Sequence, residues 1–192
     1  MRFLDKKARH ELLRRGPPRP VVPGHRLDGM SLTFVDLYRG DASRYSWIPP
    51  FDWSQAYDHD RWWNEVDELH PDPWFVQVLD GPTEVARIRL GDVIEIDHYA
   101  EVPDIGPEGL EIEFFEVATE ARGKGVGKHV IYQFARRHRD RRLLAYSERA
   151  DRFWASLGWS SFMPANYDPD HEEPSTLFIA PLRWQMTPHA LT

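Results

Sequence analysis

The 192-residue chain contains no cysteine. That absence excludes a disulfide framework, a thiolate metal site and a cysteine acyl carrier, so any acyl chemistry has to pass directly from donor to acceptor. Positive charge is in deficit: 24 Lys and Arg stand against 31 Asp and Glu, a formal net charge of −7. Non-specific nucleic-acid binding draws on a basic surface that replaces phosphate counterions, so a small or cationic partner fits this chain better than a nucleic acid. No apolar run approaches membrane-spanning length, and the opening "MRFLDKKARHELLRR" lacks the apolar core of a signal peptide. The expectation is a cytoplasmic protein with no membrane partner. His59, His70, His98, His129, His138 and His171 show no His-x-x-x-His or carboxylate spacing, which predicts no metal. There is no internal repeat.

What the chain does have is one domain's worth of periodic segments. Its length suits a single core. Residues 1–30 stand apart as a basic helix followed by the proline-rich linker "GPPRPVVPG", and 31–192 form the folded domain. "SLTFVDLY" alternates as a strand. Two apolar runs, Trp74 to Leu79 and Val85 to Leu90, flank Asp80-Gly81-Pro82-Thr83 and predict an antiparallel hairpin. "LEIEFFEVA" is the next strand, and from Gly125 the period changes to that of a helix running to about His138. "RLLAYS" reads as a buried strand, "ADRFWASLG" as a short helix stopped by Gly158, and "STLFIAPL" as a last strand. This order predicts an α/β domain with a single central mixed β-sheet flanked by helices.

The segment Arg122 to Lys128 packs three glycines and three cations into seven residues at the mouth of the predicted helix. A Walker A loop is excluded because Gly127-Lys128 is followed by His129 and Arg122 stands where the first glycine is needed. A dinucleotide fingerprint is excluded because its third glycine would fall on Lys128. What remains is Arg122-x-x-Gly125-x-Gly127 between a strand and a helix. The first N–H groups of a helix lack intrahelical partners and carry partial positive charge, so they suit a pyrophosphate, and glycines let it approach.

That pattern resembles the signature of the GNAT superfamily of N-acetyltransferases, Arg/Gln-x-x-Gly-x-Gly/Ala after the fourth strand. Val117 matches the valine that ends that strand, and "SERADRFWASLGW" is similar to a later family pattern at Ala150, Phe153, Leu157 and Gly158. The resemblance implies a GNAT-like fold, acetyl-CoA as cofactor and direct acetyl transfer to a primary amine of a small molecule or peptide. It is compatible with a homodimer. It implies coenzyme contacts from Phe115, Glu116 and Val117, from the loop Arg122, Gly123, Lys124, Gly125, Val126, Gly127 and Lys128, and from Ser147, Phe153 and Trp154. A noncatalytic acyl-CoA-binding module with the same fold is the alternative, suggested by Trp154 and Ser147 where relatives carry Tyr and Asn.

Amine acetylation needs a base, since an amine of pKa ~10.4 is only about one part in a thousand neutral at pH ~7.4. The resemblance implies Glu111 as the base, in the place held by the catalytic glutamate of the family's histone-acetylating branch, with Glu113 second. Simple alternation puts these two on one face of the strand and Glu116 on the other, unless a bulge intervenes. Tyr146 and Tyr167 are the candidate acids. Aromatics between Tyr45 and Trp74 and carboxylates at Asp92, Glu95, Asp97, Glu101, Asp104 and Glu108, then at 168–173, suit a cationic acceptor as well as they suit a solvated loop.

Overall fold

A computed structural model describes residues 30–43, 45–64, 73–167 and 175–182. The basic segment and linker of residues 1–29 and the acidic patch at 168–173 lie outside the described residues. The elements are β1 (Leu32–Tyr38), α1 (Arg61–Asn64), β2 (Trp74–Asp80), β3 (Thr83–Gly91), β4 (Gly109–Val117), α2 (Val126–Arg137), β5 (Arg142–Ser147), α3 (Asp151–Ser156), β6 (Ser160–Phe162) and β7 (Thr176–Ile179). They form one seven-stranded mixed sheet in the order β1-β2-β3-β4-β5-β7-β6, in which only β4 and β5 run parallel. The short β6 is an addition to the sequence expectation. Its three residues carry too little pattern to be read as a strand. No helix among the described residues is long and apolar enough to cross a membrane.

One face of the sheet packs on α2 and α3. Val126, Val130, Ile131, Phe134 and Ala135 recur at helical spacing and meet Val76, Val78, Ile88, Leu90 and Ile112 from the strands. Trp154, Leu157 and Trp159 extend this core under α3.

The opposite face is covered in two separate pieces. Over β2 and β3 the aromatic segment before β2 lays down Phe51 and Trp63 on Phe75, with Trp47, Trp62 and Phe114 beside them. Over β5 and β7 the connection between β3 and β4 buries Tyr99 and Ile105, with Ile94, Ile96 and Val102 packed alongside, on Leu144, Leu177 and Ile179. Its six carboxylates, Asp92 to Glu108, all point to solvent. Between the two coverings, along β4, the sheet presents charged and phenolic groups.

Beneath the aromatic piece sits a buried ion pair, Arg87 Nε to Glu84 Oε1 at 2.6 Å, both side chains about 1% exposed or less. Glu84 also accepts hydrogen bonds from the Asp52 N–H (2.8 Å), the Tyr57 hydroxyl (3.0 Å) and Gln77 Nε2 (2.5 Å). The guanidinium of Arg87 lies 4.0–4.8 Å from the ring centres of Tyr57, Phe51 and Trp53. Removing one charge from such a pair strands the other in low dielectric. Glu84→Gln should therefore cost about 3 kcal/mol, a drop of roughly 10 °C in Tm for a domain of this size, measured by calorimetry at neutral pH.

Candidate functional site

The seam along β4 originates in a break of register. β3 and β4 pair Arg89 with Phe114 but Leu90 with Ile112, so Glu113 is an extra residue in β4. Alternation resumes beyond it. Leu110, Ile112, Phe115 and Val117 face the helices, while Glu111, Glu113, Phe114 and Glu116 all face the opposite side. The simple alternation that separates Glu116 from the other two glutamates is thus overturned by the bulge. Gly91, paired with Glu111, makes this packing possible: a Cβ there would lie 2.4 Å from Glu113 Oε1.

The bulge also bends β4 away from β5. The two strands pair only through Gly109↔Arg142, Leu110↔Leu143 and Glu111↔Leu144, after which β5 continues with β7 alone. The Ala118 N–H bonds to the Val85 carbonyl of the β3 side at 2.9 Å. By the alternation of an antiparallel ladder, the N–H groups of Glu116 and Phe114 also face β3, and those of Phe115 and Val117 face the gap. The Val117 carbonyl, turned by the same alternation away from β3, accepts from Arg122 Nε at 2.9 Å. Two strand N–H groups are therefore presented to the opening, and such groups seek a partner.

Glu111 lies at the start of that opening. Its carboxyl has no hydrogen bond or ion pair among the described residues, and burial, with the charge of Glu113 adding and that of Arg89 opposing, pushes it up to about 8. Glu113 is held instead by Arg89, Nε to Oε2 at 2.7 Å, with the Nε–H directed off the carboxylate. Across the gap, Tyr146 on β5 donates its hydroxyl proton to the Glu95 carbonyl at 3.1 Å. Burial, then the nearby Glu111, raises its pKa above that of an ordinary tyrosine, so it stays protonated at neutral pH. Tyr167 lies elsewhere, in the turn after Pro164, whose bridge to Tyr99 ties it to the 92–108 connection.

At the far end of the gap is the glycine loop. Gly123 and Gly125 take left-handed conformations (φ 74° and 77°), and Gly125 caps α2. The first helical bond, His129 N–H to Gly125 O at 3.1 Å, leaves the N–H groups of Val126, Gly127 and Lys128 without partners in the helix. A Cβ on Gly127 would meet Phe153 at 3.2 Å and Val117 at 3.4 Å, so this glycine lets the helix start press against the strand end. Lys124 and Lys128 rest on the carbonyls of Glu120 and Ser156 at 2.8 and 3.4 Å, leaving both ammonium groups at the loop surface. Exposed glycine backbone, a helix start and two strand N–H groups in line fit an elongated ligand with a diphosphate at one end and a carbonyl at the other.

Other candidates are placed differently. Arg122 directs its guanidinium away from the helix start, onto Asp58 (2.5 Å) and Glu116 (3.0 Å). Glu116 is spent on that contact and on the Asp58 N–H (2.6 Å) and Trp63 Nε1 (3.1 Å). The Ser147 hydroxyl donates to Asp151 at 2.6 Å and accepts from the Ala150 N–H at 3.0 Å, fastening the start of α3. Trp154 is buried among Phe115, Phe153 and Trp159, whereas Phe153 is half-buried beside Gly127. Sequence reading missed Arg89 and Asp58. Its available signal for Arg89 was the pair Arg87 and Arg89 at period two inside the apolar "EVARIRL", which marks a charged face within a buried strand.

A family model described as the acetyltransferase (GNAT) family matches residues 35–159. Among curated proteins none matches the chain. Solved structures similar in fold include a bacterial toxin at 13% identity and TM-score 0.45, covering 59% of this chain and 69% of the other. An acetyltransferase from Thermus thermophilus shares 18% identity at TM-score 0.40, covering 57% and 64%. The Bacillus subtilis N-acetyltransferase YlbP in complex with coenzyme A shares 20% at TM-score 0.41, covering 55% and 66%. The chain spans just under two thirds of the length of these last two.

A carboxyl raised from 4.5 to about 8 in the folded state favours folding while protonated. That contribution is fully present below the unfolded pKa and is lost as pH climbs through the folded one. Glu111→Gln, which never ionises, should therefore gain stability relative to the parent as pH rises from about 4 to about 9, followed by thermal melts across that range.

Proposed function

Because the chain belongs to the GNAT family of acetyltransferases, acetyl-CoA-dependent enzymes that acetylate amines, we propose that it acetylates a primary amine of a cationic small molecule or peptide, with Glu111 as the base. The observation that carries this reading is the Glu111 carboxyl, unpaired and raised to about 8, at the mouth of the gap between β4 and β5. A base works best when its pKa lies near the operating pH, and this one is poised there by burial and by Glu113.

When bound, acetyl-CoA supplies an acyl thioester open to attack by an amine. The first-turn N–H groups of α2 and the loop glycines would hold its diphosphate, with Lys124 and Lys128 adding attraction. The N–H groups of Phe115 and Val117 would hold its arm and carbonyl along the strand edge. Glu111, directly or through a water, takes the proton that an ammonium acceptor must lose. Tyr146, kept protonated by burial, is the donor at hand on the opposite lip of the gap. Glu113 has a supporting part: its charge raises Glu111, and Arg89 keeps that effect in check.

The acceptor side is bounded by Trp62 and Phe114, stacked at 4.8 Å, and by the connection that carries six exposed carboxylates. Aromatic faces and negative potential both favour a cation.

Thiol release from acetyl-CoA with a pooled library of amines and peptides should reveal turnover whose kcat/KM rises with pH through about 8. Glu111→Gln should lower it about a hundredfold. Glu113→Gln should move the rise to lower pH, because it removes the like charge and frees Arg89 to act on Glu111. Loss of less than threefold in Glu111→Gln would remove Glu111 from the reaction.

Neutralising Asp97 and Glu101 together, to Asn and Gln, should raise the KM of a cationic acceptor more than it lowers kcat. The effect should fade as salt shortens screening below roughly 10 Å. Equal KM at low salt would reduce the acidic connection to a solubility feature.

A further inference from the structure

The two halves of the site are joined by a polar strut that the reaction itself does not require. Arg122 closes the turn of Thr119–Ala121 and immediately precedes Gly123. Its Nε donates to Val117 O at 2.9 Å, Nη1 to Asp58 Oδ2 at 2.5 Å and Nη2 to Glu116 Oε1 at 3.0 Å. The same Glu116 oxygen accepts the Asp58 N–H at 2.6 Å, and its other oxygen accepts Trp63 Nε1 at 3.1 Å. One turn earlier, the N–H and hydroxyl of Thr119 both donate to the Ala56 carbonyl, at 2.9 and 3.0 Å. With His59 Nδ1 also 3.4 Å from Glu116 Oε1, the segment 56–63 is fastened at Ala56, Asp58, His59 and Trp63 to the residues leading into the glycine loop.

That segment is the acceptor wall. His59 stacks on Trp62 at 3.9 Å with 7° between rings, and Trp62 stacks on Phe114 of β4 at 4.8 Å with 9°. Apart from these rings, Trp63 and Tyr57, residues 52–62 are exposed or half-exposed, and α1 is a single turn. Such a segment opens locally with ease unless it is held.

We propose that Arg122 is a positioning residue which couples the glycine loop to the acceptor wall, so that coenzyme A bound at the loop orders Asp58 to Trp63. This rests on the coenzyme reading above. The Arg122 guanidinium is 38% exposed and Asp58 58% exposed, whereas Glu116 is 6% exposed. Glu116 is accordingly the fixed anchor, and the Arg122 to Asp58 contact is the part that loosens. Fixing the backbone of 122–125 on a diphosphate removes freedom from Arg122. The strut then costs less to form, which is cooperativity without a change of shape.

The test is hydrogen exchange of the peptide covering 51–63, with and without saturating coenzyme A, alongside titration calorimetry. In the parent, coenzyme A should bind and slow exchange of Asp58 to Trp63 about tenfold. Arg122→Ala should bind coenzyme A within about threefold of the parent yet lose most of that protection. Arg122→Lys, which offers one ammonium where two carboxylates are bridged, should keep only part of it. Asp58→Ala removes the acceptor of Arg122 Nη1 from the wall side without touching the loop and should behave as Arg122→Ala does. Binding without any change in exchange of 51–63 in the parent overturns the coupling and leaves the coenzyme reading standing. Full protection in both Arg122→Ala and Asp58→Ala overturns the role of the strut. Failure of the parent to bind coenzyme A overturns the reading on which both rest.

Discussion

The parting of β4 from β5 is the constraint on which the rest of this protein depends. Two parallel strands that stayed paired would saturate one another's backbone groups and leave a closed sheet with nothing to bind. Here the ladder lasts for three residue pairs and then stops, because Glu113 is inserted into β4 while β5 stays with β7. The bulge does two things at once. It bends β4 so that Phe115 and Val117 present N–H groups to an opening, and it shifts the strand's phase so that Glu111, Glu113 and Glu116 share a face. The open strand edge and the shared face of glutamates are both consequences of one extra residue.

Charge placement on that face follows a consistent rule. Glu84 and Arg87 neutralise one another under aromatic rings, Arg89 sits against Glu113, and Arg122 against Glu116 and Asp58. Buried charges that are paired cost little beyond their desolvation, and an unpaired one changes its protonation instead. Among the strand glutamates facing the seam, Glu111 is the one without a partner, and burial pushes its carboxyl up to about 8. A proton can be taken up or released there at little cost, which a salt-bridged carboxylate cannot offer.

The element order was legible because strand and helix periods are local properties of sequence. The hairpin at Gly81-Pro82, the helix starting after Gly125 and the strand Arg142–Ser147 all appear within a residue or two of expectation. The place of the glycine loop was legible for the same reason, since left-handed Gly123 and Gly125 at a helix start are a local backbone feature. What local pattern could not show is where long side chains end. Arg122 reads as a cation beside a phosphate site, yet its three bonds run to Val117, Glu116 and Asp58, the last of them 64 residues away in sequence. Trp154 reads as a coenzyme contact standing where relatives carry Tyr, and the structure shows neighbouring Phe115, Phe153 and Trp159 drawing the indole into the core. The phase of the glutamates needed the bulge, and a bulge is set by pairing with β3, which no single strand's sequence contains.

The connection between β3 and β4 shows how one segment can answer two demands. Its apolar residues, Ile94, Ile96, Tyr99, Val102 and Ile105, cover β5 and β7, and its carboxylates occupy the remaining positions, facing solvent. Reading those carboxylates as a solubility device or as a substrate field is therefore not a choice between folded and unfolded loops. The apolar anchors fix the backbone either way, and the Glu95 carbonyl is held by the Tyr146 hydroxyl at the lip of the gap. The carboxylates are thereby fixed in place on a segment that borders the opening, and the low-dielectric flank of the sheet limits how far their field is dissipated in that direction. Under the function proposed above, an acceptor carrying positive charge would be drawn by this border and would lose its proton at the raised Glu111 carboxyl beside the strand N–H groups. On the proposed reading, attraction and deprotonation would thus be separated in space, and an ammonium drawn in by charge would arrive neutral at the point of attack.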